Sequence, residues 1–495
     1  MTNRIYFYVI IVLFGVGVMT QSCNDDSISV DPSARLEFSV DTLTFDTIFT
    51  AIGSATRSFK VYNPNDETVN ISKIELEGRA GDAFRLNIDG TTGNVLTDVT
   101  VPPNDSIYIF AEVTVDPNDL TNPYVITDAV HFETNGNLQT VTLDAWGQNV
   151  NYIGAKGGGA VLSCNFQDFV FDDVKPYVIY GVLFVDECNL VLPPGCEIYV
   201  HGGIVSVGDT ASRSDGIIII TENGTIKSNG TKDNPVTIRG DRLEPFYDDE
   251  PGQWAGILIS QNSTGNEINY TTIRNSIVGV RVDSAADLTI KNSEIHNTNS
   301  SNILGIHSTI YAENCVFFSS NSGNNVQLEY GGNYDFNYCT ITTISAATSI
   351  SHSSPALRMT NVICFDEFCQ EYDEYPLNAN FRNCVIYGSR ANEITTFDRT
   401  DSGNFNFTMD NCLIKLDQAE PENNLVFDNC NNCVINSDPL FIDIYDYNYR
   451  PDTLSPVEER GIPINDLQNN PITQDKDENM RDATTPDIGA FEYQY

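Results

Sequence analysis

Asn383-Cys384-Val385-Ile386 is one copy of a short phrase that recurs between residues 275 and 435. The copies are 22 residues apart from Asn292 to Asn314, 21 apart from Asn411 to Asn432, and 28 apart from Asn383 to Asn411. A fixed period between about 20 and 50 residues is typical of stacked units that cannot bury their apolar faces alone. The remaining copies begin at Asn361 and, more weakly, at Asn275, and Tyr338-Cys339-Thr340-Ile341 fills the gap between Asn314 and Asn361.

The repeated unit has the pattern of strands joined by a corner. In Leu288-Thr289-Ile290-Lys291 and Cys384-Val385-Ile386-Tyr387, apolar or small residues alternate with others, which is the spacing of a strand. Asn tolerates the left-handed backbone region that a sharp corner needs, and stacked Asn side chains can hydrogen-bond from coil to coil. A coil of about 22 residues with this pattern predicts a parallel β-helix over residues 157–436, within an all-β protein.

The composition limits the partners of the chain. Its 495 residues include 26 Lys and Arg against 68 Asp and Glu, which gives a net charge of −42. This balance argues against nucleic acid as a partner, and few cations are present to build a basic patch for a polyanionic substrate. The length predicts two or three units, of which a β-helix can be large because its core grows along one axis.

The N-terminus has the features of a targeting segment. Arg4 precedes an uncharged apolar run over residues 5–18. As a helix this run would span about 21 Å, less than the roughly 30 Å hydrocarbon core of a bilayer, so residues 1–22 are predicted to be a cleaved signal peptide. Met19-Thr20-Gln21-Ser22-Cys23 resembles the lipobox of bacterial lipoproteins, which implies cleavage before Cys23 and acylation of its thiol. The alternative is an ordinary signal peptide with an incidental Cys.

The residues after Cys23 suggest a location. Asn24-Asp25-Asp26 resembles the acidic signal that Bacteroidetes lipoproteins use to reach the cell surface. The resemblance implies a lipid anchor in the outer membrane, a protein that faces the cell exterior, and a tether over residues 23–34.

Residues 35–150 are predicted to form a β-sandwich, because alternating strands recur about every ten residues between turns such as Asn63-Pro64-Asn65-Asp66. Lys60-Val61-Tyr62-Asn63-Pro64, His131-Phe132-Glu133-Thr134-Asn135 and Leu143-Asp144-Ala145-Trp146-Gly147 occur in an order that resembles the Hydin-type immunoglobulin-like modules. Such modules imply spacing and contact. Gly157-Gly158-Gly159 is expected to be a flexible link to the next unit.

An insertion in the early coils supplies the candidate ligand loop. Residues 230–238 followed by Pro251-Gly252-Gln253-Trp254-Ala255-Gly256-Ile257 resemble a phrase of bacterial right-handed β-helix proteins, which implies that the fold is a right-handed parallel β-helix. The polar segment between them is expected to leave the coils, and such insertions often form a binding face. Asp248, Asp249, Glu250 and Trp254 are therefore the candidate ligand residues, with a solvated loop as the alternative.

Residues 437–495 are predicted to form a capping segment. Ser437-Asp438-Pro439-Leu440-Phe441, Tyr449-Arg450-Pro451 and Pro486-Asp487-Ile488-Gly489-Ala490-Phe491 occur in an order that resembles the closing segment of secreted pectate-lyase-like proteins. Asp475, Asp477 and Asn479 suggest a weak Ca²⁺ site. The phrase lacks the Gly turn and the twelfth-position Glu of a calcium loop, so a cap that closes the end of the core is favoured.

Cysteines recur at one position of the repeat. We expect them to form a column of buried free thiols, because small apolar side chains suit a coil interior. A lone Cys430-Asn431-Asn432-Cys433, with neither a second pair nor a nearby His, is a weak zinc signal. The column consists of Cys315, Cys339, Cys384, Cys412 and Cys433.

Alternation also predicts a second, outward column. If Cys384 and Ile386 point into the core, Val385 points out. An aligned column of exposed apolar residues is a patch that something should cover. We predict that the residues after Ser437 fold back along it. The other members of the column are Val316, Ile363, Leu413 and Val434.

The sequence identifies no catalytic residue. A polysaccharide lyase needs cations or Ca²⁺ beside a base, and a glycosidase needs two facing carboxylates. Acids that are adjacent in sequence point to opposite faces of a strand, so a catalytic pair is not evident here. We therefore predict a surface lipoprotein that binds a polysaccharide or another cell-surface ligand without catalysis, and the resemblance to pectate-lyase-like proteins implies a glycan. The alternatives are a lyase or glycoside hydrolase on the same scaffold and a structural envelope protein.

Overall fold

Strands dominate the chain throughout the part that the structure describes. The computed structural model describes residues 27–50, 53–116, 124–207, 211–347, 349–399 and 403–494. Two compact units divide after Asn149. The predicted signal peptide and Cys23 lie outside the described residues, so both remain predictions. Among the described residues, no helix is long and apolar enough to cross a membrane.

The first unit is a β-sandwich, as predicted. Two sheets enclose a core that includes Phe45, Phe59, Phe84 and Phe132. The strands are β1 (Ile28–Ser29), β2 (Glu37–Phe38), β3 (Thr42–Phe49), β4 (Arg57–Tyr62), β5 (Thr68–Leu76), β6 (Phe84–Ile88), β7 (Thr91–Thr92), β8 (Val95–Val101), β9 (Ser106–Val113), β10 (Tyr124–Thr134) and β11 (Asn137–Gln148). One sheet has the order β1-β5-β10-β11-β3 with β8 beside β5, and the other has the order β2-β4-β9-β6-β7. The relation to immunoglobulin-like modules remains a prediction.

The sandwich begins earlier than residue 35. Ile28 and Ser29 pair with Thr68 and Val69, and Ala34 is buried in the sandwich core. The prediction that residues 23–34 form a tether is therefore wrong for their last part, because backbone pairing and burial hold it in the sandwich.

The second unit is a right-handed parallel β-helix, which confirms the predicted fold class. Its strands, in chain order, are β12 (Asn151–Leu162), β13 (Gln167–Val170), β14 (Tyr177–Val185), β15 (Cys188–Leu192), β16 (Glu197–His201), β17 (Gly203–Val207), β18 (Ala211–Asp215), β19 (Ile217–Ile220), β20 (Thr225–Asn229), β21 (Val236–Gly240), β22 (Gly256–Ile259), β23 (Glu267–Asn269), β24 (Thr271–Arg274), β25 (Val280–Val282), β26 (Asp287–Lys291), β27 (Glu294–His296), β28 (Ile303–Glu313), β29 (Val316–Phe318), β30 (Val326–Asn337), β31 (Thr340–Thr342), β32 (Leu357–Thr360), β33 (Val362–Cys364), β34 (Tyr372–Glu374), β35 (Leu377–Arg382), β36 (Val385–Tyr387), β37 (Ile394–Phe397), β38 (Phe405–Asp410), β39 (Leu413–Ile414), β40 (Cys430–Asn431), β41 (Val434–Ile435), β42 (Phe441–Asp443) and β43 (Asn448–Pro451).

The coils have three faces. The first face includes β19, β22, β25, β32 and β37, and the second includes β15, β20, β23, β26, β35 and β38. The third face, which carries the candidate site, consists of β16, β21, β24, β27, β29, β31, β36, β39 and β41, preceded by the first halves of β12 and β14. The long strands β28 and β30 each cross from the first face to the second. Inward side chains from all three faces form one continuous apolar core.

The recurring Asn forms the corner before the third face. Its φ is positive at Asn292 (51°), Asn314 (53°) and Asn383 (54°), and Tyr338 has the same conformation (51°). Asn enters this left-handed region at less cost than most residues. Asn314 donates to Asn292 Oδ1 at 3.2 Å, which is one step of the predicted amide ladder. Asn292 donates to Asn269 Oδ1 of the preceding coil at 3.0 Å, whereas Asn383 and Asn411 donate to the C-terminal segment.

One copy of the phrase was misleading. The copy at Asn361 leads into β33, which pairs antiparallel with β34 as a hairpin outside the coils, closed by a Cys364–Cys369 disulfide. Strand β31 pairs directly with β36 instead. Ile363 therefore does not belong to the outward column, and Thr340 lies there in its place.

The glycine run is not a flexible link. Gly157, Gly158 and Gly159 lie within β12, where Gly159 pairs with Val182. A Cβ on Gly159 would lie 2.4 Å from the Val182 carbonyl oxygen, so glycine permits a close approach of two backbones. The prediction of a linker was wrong because the run serves strand packing.

Four of the five cysteines in the column are buried free thiols, as predicted: Cys315, Cys339, Cys384 and Cys412. The fifth, Cys433, forms a disulfide with Cys430 instead. Cys430 lies in β40 on the preceding face, so the two side chains meet across the corner at the last coil. Because the disulfide uses both thiols of the Cys430–Cys433 motif, neither is available to bind zinc.

The C-terminal segment, residues 437–494, covers the outer side of the third face. Val316 and Phe318 pack against Tyr449, Ala490 and Phe491, and a neighbouring cluster unites Val385 and Leu413 with Val457 and Ile488. The prediction that this segment covers the outward column is thus confirmed for Val316, Val385 and Leu413.

Corner residues help to hold this segment. Asn383 donates to the Ile462 carbonyl at 2.7 Å and accepts from the Ile462 N–H at 3.0 Å.

The contacts described for the segment lie along the side of the coils. Val426, from the short helix Asn424–Asp428, enters the core near the last coil, so a helix takes the place expected for the end cap. Short 3₁₀ turns occur at Pro245–Tyr247, Pro421–Asn423 and Ile444–Asp446.

Candidate functional site

A cleft of about 410 Å³ lies beside the third face. It is bounded by the base of the β17–β18 hairpin and by an insertion between β21 and β22, residues 241–255. The sequence predicted that residues 239–250 leave the coils, but Arg239 and Gly240 still belong to β21. The residues around it include His201, Gly202, Ile204, Ser214, Asp215, Asp241, Arg242, Tyr247 and Gln253.

Side-chain amides hold the insertion against the coils. Gln253 donates to the carbonyls of Tyr247 (2.6 Å) and Glu250 (2.9 Å). Asn275, a corner residue, donates to the carbonyls of Asp248 (2.8 Å) and Glu250 (3.0 Å). Glu250 thus contributes its backbone to the insertion, and the wall of the cleft is fixed before any ligand arrives.

Asp248 forms ion pairs with two arginines of the third face. Its Oδ1 lies 3.1 Å from Arg239 Nη1 and 3.1 Å from Arg274 Nη2. Arg239 is buried, and this burial, together with the nearby charge of Arg274, lowers the pKa of Arg239. The carboxylate offsets the cost of holding two cations in a poorly hydrated position. This candidate residue therefore binds its own chain.

Asp249 joins the insertion to the C-terminal segment. Its Oδ1 accepts hydrogen bonds from Tyr447 Oη at 2.5 Å and from Asn297 Nδ2 at 3.1 Å. Burial and the bond to Asp249 raise the pKa of Tyr447, so its hydroxyl remains a donor. The expectation of a free acid in a solvated loop does not hold for Asp249.

Trp254 belongs to the core. Only 1% of its surface is exposed, and its Nε1 donates to the Arg274 carbonyl at 2.9 Å. The ring fills the interior just before β22. Trp254 is also among the residues that line the cleft. Its indole is almost fully buried and its N–H is already satisfied, so its role as a ligand residue stays a prediction.

An aromatic column, which we define as Tyr152, Tyr180 and His201, leads to the cleft. The rings of Tyr180 and His201 are stacked, with centroids 4.3 Å apart and planes at 25°. Tyr152 follows at 6.0 Å from Tyr180. His201 Nδ1 and Asp241 Oδ2 share a hydrogen bond of 2.7 Å. Partial burial and then the charge of Asp241 raise the pKa of Tyr152 to about 12.

Sequence reasoning missed these residues because they lie on different coils, before the regular Asn phrase begins. Tyr180 and His201 are direct neighbours in the β14–β16 pairing. Their outward positions at period two, next to buried Ile179 and Val200, were a usable signal. That signal required the register of the coils, which the sequence had not supplied at this point.

Arg242 also lines the cleft. Its guanidinium lies 3.8 Å from the centre of the Tyr247 ring and makes a bidentate pair with Glu244, with Nη2 to Oε1 at 2.8 Å and Nε to Oε2 at 3.0 Å. Glycoside hydrolysis uses two carboxylic groups across the scissile bond. Glu244, like Asp248 and Asp249, already binds donors of the chain.

The suggested calcium residues form a turn. Asp475 Oδ1 accepts from the N–H groups of Asp477 and Asn479, both at 2.8 Å, and its Oδ2 accepts from the Glu492 N–H at 2.8 Å. Asp477 pairs with Arg450, with Oδ2 2.6 Å from Nε. These bonds use the oxygens that calcium would need, so the calcium interpretation is not supported. Within the described ranges, no three His, Cys, Asp or Glu side chains group to hold a metal.

Comparisons with known proteins give only distant similarities. No protein-family model and no curated protein sequence matches the chain. The catalytic unit of a GH87 α-1,3-glucanase from Streptomyces thermodiastaticus matches at TM-score 0.31 and 10% identity, over 72% of this chain and 74% of that one. The VesB protease of Vibrio cholerae matches at 0.17 and 12%, over 23% of this chain and 31% of that one. This chain thus spans about a third of VesB.

A third similarity is to the PapD-like domain 7 of human CEP192, at TM-score 0.17 and 12% identity, over 26% of this chain and 95% of that domain. Scores this low carry no functional argument. The β-sandwich and the β-helix are therefore assigned from the strand pairing alone.

Proposed function

We propose that the protein binds a neutral glycan in the cleft beside the third face, without cleaving it. The observation that supports this is the aromatic column leading into a cleft with Asp241, Arg242 and Gln253 at its walls. Aromatic rings offer flat apolar faces to the C–H groups of sugars, while their polar atoms and the cleft side chains can bind hydroxyls. A concave site of this size with a few convergent polar groups is typical of a small-ligand site.

The charges favour a neutral ligand. Asp215 and Asp241 line the cleft, its Arg242 is paired with Glu244, and the whole chain carries −42. An acidic polysaccharide would be repelled by this field. A lyase acting on acidic sugars is thus the less favoured enzyme. A glycoside hydrolase is the second candidate, because the His201–Asp241 pair could move a proton within the cleft.

Affinity gel electrophoresis of the full chain with laminarin, xylan, yeast mannan and dextran tests this proposal. We expect at least one of these neutral glycans to retard the chain. Tyr152→Ala should weaken that binding about 2- to 10-fold, because an aromatic contact contributes roughly 0.5–1.5 kcal/mol beyond its area. The control is Tyr445→Ala, which removes an exposed ring from the C-terminal segment and should leave binding unchanged.

Product analysis separates binding from catalysis. No release of reducing ends is expected from any bound glycan. Release that disappears in Asp241→Asn would replace binding with hydrolysis as the function, and a chain that none of the neutral glycans retards would contradict both.

We also propose that Cys23 carries the lipid that anchors the protein in the outer membrane, facing outward. The support is the sequence Met19-Thr20-Gln21-Ser22-Cys23 followed by Asn24-Asp25-Asp26. Cys23→Ala should move the protein from the membrane fraction to the soluble fraction. Unchanged membrane association would contradict the anchor, and resistance to protease added to whole cells would contradict outward exposure.

A further inference from the structure

The sandwich carries a second set of outward aromatic side chains, far from the cleft in sequence. Strand β9 buries Ile107, Ile109 and Ala111 and turns Tyr108 and Phe110 outward. On β4, Tyr62 also points outward; it lies opposite Ser106 and is therefore diagonal to Tyr108. The exposed fractions are 43% for Tyr108, 38% for Phe110 and 36% for Tyr62. Because the opposite side of the same strands completes the core, packing within the sandwich does not require these three rings.

Tyr108 and Phe110 form the flat part of an outward aromatic strip, with Tyr62 at its end. The ring centroids of Tyr108 and Phe110 are 5.8 Å apart and their planes differ by 19°. The cross-strand neighbours of Phe110 are Ser58 and Asn87, whose side chains are small. No bulky side chain from the paired positions therefore covers this ring.

A polar border accompanies the strip. Lys60 lies opposite Tyr108, with its Nζ 4.8 Å from the ring centroid. A hydrogen bond with the Tyr108 hydroxyl is the main cause that raises the pKa of Lys60, which keeps this side chain protonated and beside the ring. The strip thus combines apolar ring faces with an ammonium, two phenol hydroxyls and an amide.

The size of the strip restricts what can bind there. A fully buried aromatic side chain covers about 150–250 Å², so three rings that are roughly 40% exposed offer on the order of 200–300 Å². A stable protein interface needs about 800 Å² per partner, which argues against both a partner protein and a second copy. Single-stranded nucleic acid also stacks on aromatic rings, but its phosphates would be repelled by a chain of charge −42.

We propose that Tyr62, Tyr108 and Phe110 form a second glycan-binding site, a platform on which successive units of a neutral polysaccharide chain stack. Lys60 and the tyrosine hydroxyls bind sugar hydroxyls at its border. This site is separate from the cleft of the β-helix, so the protein holds a polysaccharide at two places, one on each unit.

The test uses the full chain carrying Tyr152→Ala, which weakens the cleft, in affinity gels with laminarin, xylan, yeast mannan and dextran. Retardation by one of these glycans should persist in this background. Adding Tyr108→Ala and Phe110→Ala should reduce the affinity about 10-fold or more, whereas Tyr108→Phe, which keeps the ring, should reduce it only slightly. Trp146→Ala, which removes an exposed ring from the other sheet, is the matched control and should have no effect.

Two results would overturn the platform without touching the cleft. One is equal retardation of the Tyr152→Ala chain with and without the Tyr108→Ala and Phe110→Ala changes, with urea unfolding showing that both are folded. The other is light scattering that finds a dimer for the unsubstituted chain and a monomer for the chain with both changes, since the strip would then bind a second copy.

Discussion

His296 shows how a single residue of the third face depends on its surroundings. The side chain is buried, its ring lies parallel to Phe318 (centroids 4.5 Å apart, planes at 5°), and Tyr447 of the C-terminal segment lies 5.3 Å away. Burial, reinforced by the charge of Arg274, lowers the pKa of His296 to about 4, against the opposing effect of Glu294 and Asp249. The imidazole is therefore neutral in the folded chain at neutral pH.

This pKa predicts a pH-dependent stability. A His whose folded pKa lies below its unfolded value of about 6.5 stabilises the fold fully above pH 6.5, and the contribution is lost as the pH falls towards 4. The expected loss is on the order of 3 kcal/mol. His296→Phe keeps an aromatic ring and removes the titration, so urea unfolding should show a smaller loss between pH 7 and pH 4.5 than in the unsubstituted chain. The pH 7 value measures the packing cost of the substitution, and equal pH dependence in both chains would refute the assignment.

The residues that could be predicted from the sequence are those whose backbone conformation is distinctive. Asn292 and Asn383 revealed their corners because Asn accepts a left-handed φ. The same letters at Asn361 led to an antiparallel hairpin, since the phrase alone does not say which strand pairs with it. Trp254 and the His201–Asp241 pair depend on whether a side chain points in or out and on which coils are neighbours, and neither follows from local sequence.

At the scale of elements, the C-terminal segment was the most predictable feature. Alternation alone placed Val385 and Leu413 on the outside of the coils, and an aligned column of outward apolar residues requires a cover. The β17–β18 and β33–β34 hairpins were not predicted. A hairpin that leaves the coils interrupts the repeat, and its sequence does not show which strands pair. The cleft was therefore only half predicted, by its insertion and not by its hairpin.

The C-terminal segment offers a closely matched pair of substitutions. Val457 is 2% exposed and packs against the third face, whereas Leu454, three residues earlier, is 82% exposed. Val457→Asp would bury an unpaired carboxylate and should lower the free energy of unfolding by about 3 kcal/mol or more. Leu454→Asp should change it by less than about 0.5 kcal/mol. Urea unfolding followed by tryptophan fluorescence measures both, and similar effects would mean that the segment is not a cover.

For the whole molecule, each unit has its own closed apolar core. The sandwich encloses one cluster around Phe132, and the β-helix encloses another around Phe336, both fully buried. Two cores without shared residues should melt as separate cooperative units, so calorimetry of the full chain is expected to show two transitions.

Core substitutions assign those transitions. Phe132→Ala and Phe336→Ala each remove a buried ring, which typically costs 3–5 kcal/mol, so each should lower one transition by several degrees. Phe132→Ala should move only the sandwich transition and Phe336→Ala only that of the β-helix. The transition of the unsubstituted unit should not move, so it serves as the internal control for sample handling and scan rate. A single transition that both substitutions shift equally would show that the two cores fold as one, and the division after Asn149 would then not be a division in stability.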